Sequence, residues 1–161
     1  DVPVLGICLG SQLLADALGG RAFRSERRLE AGVLALHLTE AGAADPVLSH
    51  AGDRAFAMHG DTFDLPPDAT LLARTDDYHA AFRLGSALAM QFHPETRAET
   101  AIGWATGGEQ HLLVGAGVNQ AAFARQLRAD YRYLAERADA MFAAWLGGLA
   151  RSRPHRQRCS T

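Results

Sequence analysis

The first twenty residues combine two hydrophobic patterns with different periods. A continuous apolar run from Val2 to Ile7 predicts a buried strand. From Leu9 to Leu18 the apolar side chains recur at helical spacing, and Gly19-Gly20 is a typical helix end. Cys8 alone separates the two elements, so the pattern predicts a strand that turns directly into a helix at a cysteine.

Short apolar runs separated by turn residues predict the following strands. The stretch from Phe23 to Glu30 is polar and predicts only a short strand and a loop. Leu84-Gly85-Ser86 predicts a hairpin turn, and Asp45-Pro46 predicts the start of a short helix that ends near His50. The remaining strands are expected at Gly32 to Leu38, Phe56 to His59, Thr70 to Ala73, His79 to Arg83 and Ala87 to Phe92.

Helical spacing dominates the chain after Glu95. One helix is expected from Thr96 to Ala105, ended by Gly107-Gly108. Asn119 is expected to cap a second helical region from Gln120 to Leu149, either as one helix or as two with a break near residues 129–133. The sequence therefore predicts one domain over residues 1–150 and a basic, disordered tail over residues 151–161.

Composition places the chain among ordinary globular proteins and excludes several functions. Of its 161 residues, 48% are hydrophobic and 21% charged, and the formal net charge is −2. Such a charge gives no general attraction to nucleic acid or to an anionic membrane. No apolar run has the length of a membrane span, and no signal peptide is evident. Two cysteines, Cys8 and Cys159, form no disulfide framework, so a reduced, cytoplasmic setting is expected.

Cys8 is a candidate nucleophile because of its position and its neighbours. A residue at such a turn is expected to be strained and to project its side chain from the end of the sheet, as in a nucleophile elbow. Gly6 and Gly10 flank it, and we expect a side chain at either position to collide with nearby backbone. The amides at the start of the following helix would stabilise negative charge on the sulfur. The alternative is a small buried cysteine at a strand end.

The stretch Gly6-Ile7-Cys8-Leu9-Gly10-Ser11-Gln12 resembles the nucleophile motif of the class I glutamine amidotransferases. Gln91-Phe92-His93-Pro94-Glu95 resembles the second signature of that family, and His59-Gly60-Asp61-Thr62-Phe63 is also similar to it. The resemblance extends from residue 1 to about residue 97 and is strongest to the stand-alone, GMP-synthase-like branch. It implies an α/β fold of the flavodoxin-like kind, with a mostly parallel sheet flanked by helices and a small antiparallel hairpin.

The same resemblance implies that an N-terminal portion is missing from this sequence. The chain begins at Asp1 and enters a predicted core strand at its second residue, whereas a parallel strand needs neighbours on both sides. The family places several strands and helices before the nucleophile. We therefore expect the first strands of the fold, and a glycine-bearing loop that supplies one oxyanion donor, to be absent; the loss of one such donor costs about 3 kcal/mol.

The resemblance implies a catalytic triad of Cys8, His93 and Glu95. Cys8 would attack the side-chain amide of L-glutamine to give a thioester and ammonia. His93 follows an apolar strand and is the candidate base, and Glu95 would orient its imidazole. Taken without Cys8, His93 and Glu95 would be an ordinary surface histidine and loop carboxylate.

Three further residues are expected at the substrate site. The N–H of Leu9, the residue after the nucleophile, is a candidate oxyanion donor. Gln12 lies one helical turn beyond Cys8 and by resemblance contacts the bound glutamine, although a helix-surface glutamine is the alternative. His59 is expected to line the pocket, and Glu30 with Gly32 resembles a loop that borders it.

No cofactor or metal is expected from the sequence. Four other histidines have no paired ligand spacing (His37, His50, His79 and His111). No phosphate-binding glycine motif is present. The ammonia would therefore pass to a separate acceptor synthase. Two alternatives stay open: a γ-glutamyl peptidase or hydrolase on the same scaffold, and a truncated relative without activity. An α/β-hydrolase is disfavoured because Glu95 follows His93 by only two residues.

Overall fold

The computed structural model describes residues 2–27, 29–108 and 110–151. The last ten residues of the predicted basic tail lie outside the described residues. In chain order the strands are β1 (Val4–Ile7), β2 (Arg21–Arg24), β3 (Glu30–Ala35), β4 (His37–Leu38), β5 (Arg54–His59), β6 (Asp61–Asp64), β7 (Thr70–Arg74), β8 (His79–Leu84) and β9 (Ala87–Met90). The helices are α1 (Leu9–Ala17), α2 (Glu40–Ala44), α3 (Ala98–Thr106), α4 (Gln110–Gly115) and α5 (Gln120–Arg151), with a 3-10 turn at Leu48–His50.

Five strands form the main sheet, in the order β1-β9-β8-β7-β4. β1 is parallel to β9, with Ile7 opposite Met90. The other three neighbouring pairs are antiparallel, and the β8–β9 pair is the hairpin predicted at Leu84-Gly85-Ser86. In the described residues the sheet is therefore mixed, with one parallel and three antiparallel pairs, rather than mostly parallel as expected. Helices flank it, and the predicted α/β class is confirmed.

Alternating side chains of the central strands fill two cores, one on each face of the main sheet. On β9, Ala89 joins a cluster with Ala15 of α1, whereas Leu88 and Met90 join a cluster with Met141 of α5. This alternation follows from the two-residue period of a strand. Helix α1 thus covers one face of the sheet and helix α5 the other.

The predicted strand from Gly32 to Leu38 is wrong in its continuity. β3 pairs with β5 in a separate two-stranded sheet, whereas β4 pairs with β7 at the edge of the main sheet. Between them Leu36 is buried, and its N–H donates to the carbonyl of Asp53 at 2.9 Å. The chain therefore changes sheets at Leu36, which a continuous apolar run does not reveal.

The segment before Asp45 forms a helix that was not expected: α2 begins after Thr39, whose hydroxyl accepts a hydrogen bond from the N–H of Gly42 at 3.0 Å. As expected, Asp45 caps the short helical element that ends at His50, which is a 3-10 turn, by accepting from the N–H groups of Val47 and Leu48 at 2.8 and 2.9 Å. The α2 sequence is rich in alanine and has no apolar periodicity, so its pattern did not indicate a helix.

The C-terminal helix is continuous. Asn119 caps it as expected, with its side-chain oxygen accepting from the N–H of Ala122 at 2.9 Å. The predicted alternative of a break near residues 129–133 is wrong, because α5 extends without interruption over 32 residues. Its side chains pack successively on two clusters, which supports its whole length. None of the described helices is both long and apolar enough to cross a membrane.

Candidate active site

The strand-to-helix turn at Cys8 has a strained backbone. Cys8 has φ 49° and ψ −107°, a region that residues with a side chain rarely occupy. Its N–H donates to the carbonyl of Met90 at 2.8 Å, which ties the turn to the end of β9. Helix α1 begins at the next residue. The predicted elbow geometry is therefore present.

The two glycines beside Cys8 differ in their steric role. A Cβ at Gly6 would lie 2.5 Å from the carbonyl oxygen of Gly10 and 2.6 Å from a methyl carbon of Leu14, so the strand and helix meet here without room for a side chain. At Gly10 the corresponding Cβ has no atom within 4 Å beyond its own helix and neighbours. The collision predicted at Gly6 is confirmed, and the one predicted at Gly10 is wrong because that position faces open space.

His93 and Glu95 lie just beyond the carboxyl end of β9, next to the end of the parallel strand β1 that leads to Cys8. The His93 N–H donates to the carbonyl of Phe56 at 2.8 Å, which fixes the backbone. Nδ1 of His93 is 2.7 Å from a carboxylate oxygen of Glu95. The ring of Trp104 packs edge-on against the imidazole, with centroids 5.2 Å apart. These contacts hold the imidazole in place and leave Nε2 as the nitrogen that can hydrogen-bond to Cys8.

The electrostatics of this group favour a charged imidazole. Burial lowers the pKa of His93, but hydrogen bonds and negative charge from Cys8 and Glu95 outweigh it and raise the pKa to about 9. Burial likewise raises the pKa of Glu95, and the bond to His93 together with its charge brings the pKa below its usual value. A carboxylate therefore orients and stabilises an imidazolium beside the sulfur.

Gln12 is buried rather than on the helix surface, the alternative considered for it. Its side-chain nitrogen donates to the backbone carbonyl of Asp61 at 2.9 Å and to Oε1 of Gln91 at 3.3 Å. The side chain also lines the cleft that contains Cys8. Gln12 is thus held in place by the protein at the edge of the cleft.

His59 lies in the same cleft and is engaged at both ring nitrogens. Nδ1 is 2.8 Å from the Asp61 carbonyl oxygen, and Nε2 is 3.0 Å from a carboxylate oxygen of Glu30. Both side chains of the pair are buried. Glu30 is the first residue of strand β3, and Gly32 lies in the same strand, so the pocket-bordering loop expected there is wrong.

The cleft has a volume of about 470 Å³, within the range typical of small-molecule sites. It brings together the predicted residues Cys8, Leu9, Gln12, His59 and His93, whereas Glu95 lies behind His93. Gly60 and Asp61, from the stretch after His59 that resembles the family, also line it. Residues that the sequence did not indicate complete the lining: Arg24, Leu29, Met58, Trp104 and Leu113. Gln91 was visible only as part of the second motif. Of these, Trp104 had a signal, since it lies on a predicted helix shortly after His93.

A metal centre has no obvious ligand set here. Among residues 2–27, 29–108 and 110–151, no three histidine, cysteine or acidic side chains are grouped as a metal ion would require. The chemistry available in the cleft is that of a thiol, an imidazole and a carboxylate.

Fold and site together define an α/β protein in which a cysteine elbow faces a histidine–carboxylate pair. The family model described as "Glutamine amidotransferase class-I" matches residues 1–102. The chain therefore belongs to the class I glutamine amidotransferase family, as the sequence motifs predicted. Members matched by sequence include enzymes described as glutamine-hydrolysing.

The sequence relatives include GMP synthases. A glutamine-hydrolysing GMP synthase of Thermomicrobium roseum is 41% identical over 106 residues, which cover 63% of this chain and 19% of that protein. One subunit of the glutamine-hydrolysing GMP synthase of Halobacterium salinarum is 35% identical over 101 residues, covering 59% of this chain and 54% of the relative. The chain thus spans about a fifth of the length of the first relative and about half of the second.

Solved structures agree with this assignment. A glutamine amidotransferase of Thermotoga maritima aligns with a TM-score of 0.78 at 28% identity, over 90% of this chain and 63% of that one. A glutamine amidotransferase of Methylobacillus flagellatus aligns with a TM-score of 0.77, also at 28% identity, over 98% of this chain and 67% of that one. The similarity extends beyond the region of the sequence motifs into the C-terminal helices.

Proposed function

We propose that this chain hydrolyses the side-chain amide of L-glutamine, with Cys8 as nucleophile, His93 as general acid and base, and Glu95 as the group that orients His93. The observation that carries this proposal is the geometry of one cleft: a strained cysteine at a helix start beside an imidazole that is hydrogen-bonded to a carboxylate at 2.7 Å. A nucleophile, a base and an orienting group are what amide hydrolysis by a thiol requires.

In the first half-reaction the Cys8 thiolate attacks the amide carbon of glutamine. A carbon–sulfur bond forms, and the carbonyl electron pair moves onto oxygen. Leu9 is the first residue of α1, so its N–H has no acceptor within the helix and donates to this oxyanion. When the carbonyl re-forms, the carbon–nitrogen bond breaks. The Nε2 proton of His93 passes to the nitrogen, leaving ammonia and a γ-glutamyl thioester.

In the second half-reaction water attacks the thioester carbon and gives a proton to Nε2 of His93. The carbon–sulfur bond then breaks, releasing glutamate and restoring the thiolate and the imidazolium. Glu95 keeps Nδ1 protonated and the ring oriented in both steps. Gln12 and His59 are proposed to shape the cleft around the substrate, since both line it. The reaction as written needs no cofactor.

We further propose that residues 1–150 act as one amidotransferase unit, which supplies ammonia to a separate acceptor synthase. One relative supports a separate acceptor: the Halobacterium salinarum protein is described as one subunit of a glutamine-hydrolysing GMP synthase. Hydrolysis of other γ-glutamyl amides by the same three residues is distinguished by substrate comparison.

Ammonia release from L-glutamine tests the proposal. We expect turnover by the whole chain and loss to background in Cys8→Ala, because no other group in the cleft can form the thioester. Cys159→Ala is the matched control and should keep the activity. Equal ammonia release by Cys8→Ala would contradict the proposal, and faster cleavage of a γ-glutamyl dipeptide than of L-glutamine would identify a peptidase instead.

A further inference from the structure

A chain of hydrogen bonds leads from the backbone of Asp61 to the sulfur of Cys8. The Asp61 carbonyl accepts from Nε2 of Gln12 at 2.9 Å, the same nitrogen lies 3.3 Å from Oε1 of Gln91, and Nε2 of Gln91 lies 3.6 Å from the Cys8 sulfur. Gln12 and Gln91 are 6% and 1% exposed. Two buried amides that are hydrogen-bonded in series beside a reactive cysteine can do more than fill space, because they can control the hydrogen bonding of its sulfur.

The backbone carbonyl of Asp61, at one end of this series of hydrogen bonds, determines the orientation of both side-chain amides. A carbonyl oxygen can only accept, so Gln12 must present its NH₂ group to Asp61. The same NH₂ group faces Gln91, which must therefore present its oxygen to Gln12. The NH₂ group of Gln91 is then the part that points at the sulfur. The acceptor at Asp61 thus determines a donor at Cys8 through two side chains.

We propose that Gln91 is the hydrogen-bond donor that stabilises the reactive sulfur of Cys8, and that Gln12 is a positioning residue that fixes the orientation of Gln91. This inference rests on the proposed role of Cys8 as nucleophile. A thiolate accepts a hydrogen bond more strongly than a thiol does, so a fixed donor at the sulfur favours the reactive form. The donor also holds the sulfur in one direction at the strained turn.

His59 reinforces the same anchor. Its Nδ1 contacts the carbonyl oxygen that Gln12 uses, and its Nε2 is paired with the buried Glu30. Because the side chains of Gln12 and His59 are both hydrogen-bonded to this carbonyl, its oxygen is held in position toward Gln12. The backbone at Asp61 is therefore held from both sides, and the orientation of the two glutamines is built into the fold.

Several charged and titratable groups surround the sulfur, and any pH profile must include them. His93, with Glu95 behind it, faces Cys8 from the segment after β9. Arg24, His59 and Asp61 line the same cleft from strands β2, β5 and β6, with Glu30 behind His59. The two glutamines carry no charge and do not titrate. An uncharged variant at Gln91, such as Gln91→Met, therefore changes the pH profile only through its contact with the sulfur.

The test is the rate of alkylation of Cys8 by iodoacetamide on the whole chain, read by mass spectrometry of the Cys8 peptide. This readout needs no glutamine turnover, so it separates the inference from the proposed function. Gln91→Met removes both polar atoms without adding a charge, whereas Gln91→Glu keeps the volume and the acceptor but replaces the donor with a carboxylate that itself repels the thiolate. We expect alkylation at neutral pH to slow about tenfold in Gln91→Met and by more in Gln91→Glu, with the half-maximal pH moved upward and the plateau at high pH unchanged.

Gln12→Met tests the relay itself, because Gln12 does not contact the sulfur. It should slow alkylation less than the Gln91 variants do, and the double variant Gln12→Met/Gln91→Met should react no more slowly than Gln91→Met alone. Gln126→Glu is the matched control: its nitrogen also donates to a backbone carbonyl, that of Val33, at 3.0 Å, and it does not line the cleft. It should alkylate like the parent protein.

Two outcomes would overturn the inference. Superimposable pH profiles for the parent and Gln91→Met would show that no donor acts on the sulfur. Equal slowing at every pH, including the plateau, would show that Gln91 only packs the site. A folded Gln91→Met protein, verified by its circular dichroism, keeps the comparison valid if Gln91→Glu is unstable.

Discussion

At the scale of single residues, a few side chains carry the proposed chemistry, and their environment explains why. His93 lies between the turn at Cys8 and the ring of Trp104, and only 11% of its side chain is exposed. Its Nδ1 is 2.7 Å from the carboxylate of Glu95. Removal from water would disfavour its charge, yet the two neighbours that accept its protons dominate. The His93 imidazolium therefore lies where the nitrogen that leaves in the proposed reaction needs a proton.

The raised pKa of His93 makes the stability of the folded protein depend on pH. The pKa of His93 rises from 6.5 to about 9 on folding, so the folded state binds its proton more tightly than the unfolded state does. The stabilisation is complete below pH 6.5 and is lost as pH rises through 9, with a size of about 3 kcal/mol. We predict that the free energy of unfolding in urea falls over this interval in the parent protein.

The matched pair for that measurement is His93→Gln and His111→Gln. Both remove one imidazole, but His111 is exposed and does not line the cleft. The fall in unfolding free energy between about pH 6.5 and pH 9 should shrink in His93→Gln and persist in His111→Gln. An equal slope for all three proteins would contradict the electrostatic description of the site.

The sequence indicated Cys8, His93 and Glu95 because each lies in a short motif with a recognisable local geometry. It did not indicate what Gln91 or Arg24 contact, since their neighbours come from distant parts of the chain. Gln12 was expected to face substrate, and the structure adds the two protein acceptors that already hold its nitrogen. Local pattern predicts which residues reach the end of a strand, but their partners there depend on the folded chain.

At the scale of elements, the elbow depends on a close crossing of β1 and α1. We predict that Gly6→Ala destabilises the protein by about 1–3 kcal/mol, because the new Cβ would lie 2.5 Å from the carbonyl oxygen of Gly10. Urea unfolding measures this directly. Circular dichroism would show whether the native fold is retained.

Gly10→Ala is the control for this prediction, since a Cβ there meets no atom within 4 Å outside its own helix and neighbours. The substitution lies within α1, where alanine is a better helix former than glycine, and should be neutral or stabilising by up to about 1 kcal/mol. Equal destabilisation by the two alanines would mean that the crossing is not what requires glycine at position 6.

The element boundaries show where sequence patterns succeed and fail. The hairpin at Gly85 was predictable because a turn glycine separates two apolar runs, and its φ of 55° confirms the need for glycine. The division between β3 and β4 was not, because Leu36 is apolar and continues the pattern while the chain changes sheets. Helix α2 escaped notice since it is short and begins at a threonine cap that no periodic face follows.

At the scale of the whole molecule, the site lies where independent packing units meet. The parallel pair β1–β9 brings Cys8 and His93 to one edge, and the two-stranded sheets β2–β6 and β3–β5 add the cleft walls. Helix α5 packs over the opposite face of the main sheet and contacts β3 and β5. The family assignment was predictable from two motifs, whereas the continuity of α5 was not, because its support comes from two separate clusters.

The measurement that tests the central claim most directly is the capture of the γ-glutamyl thioester. The whole chain is mixed with L-glutamine, quenched in acid, digested, and the Cys8 peptide analysed by mass spectrometry. We predict a γ-glutamyl adduct on Cys8 that is absent from the Cys159 peptide and from Cys8→Ala. Ammonia release without any adduct on Cys8, or an adduct that persists in Cys8→Ala, would contradict the assignment of Cys8 as the nucleophile.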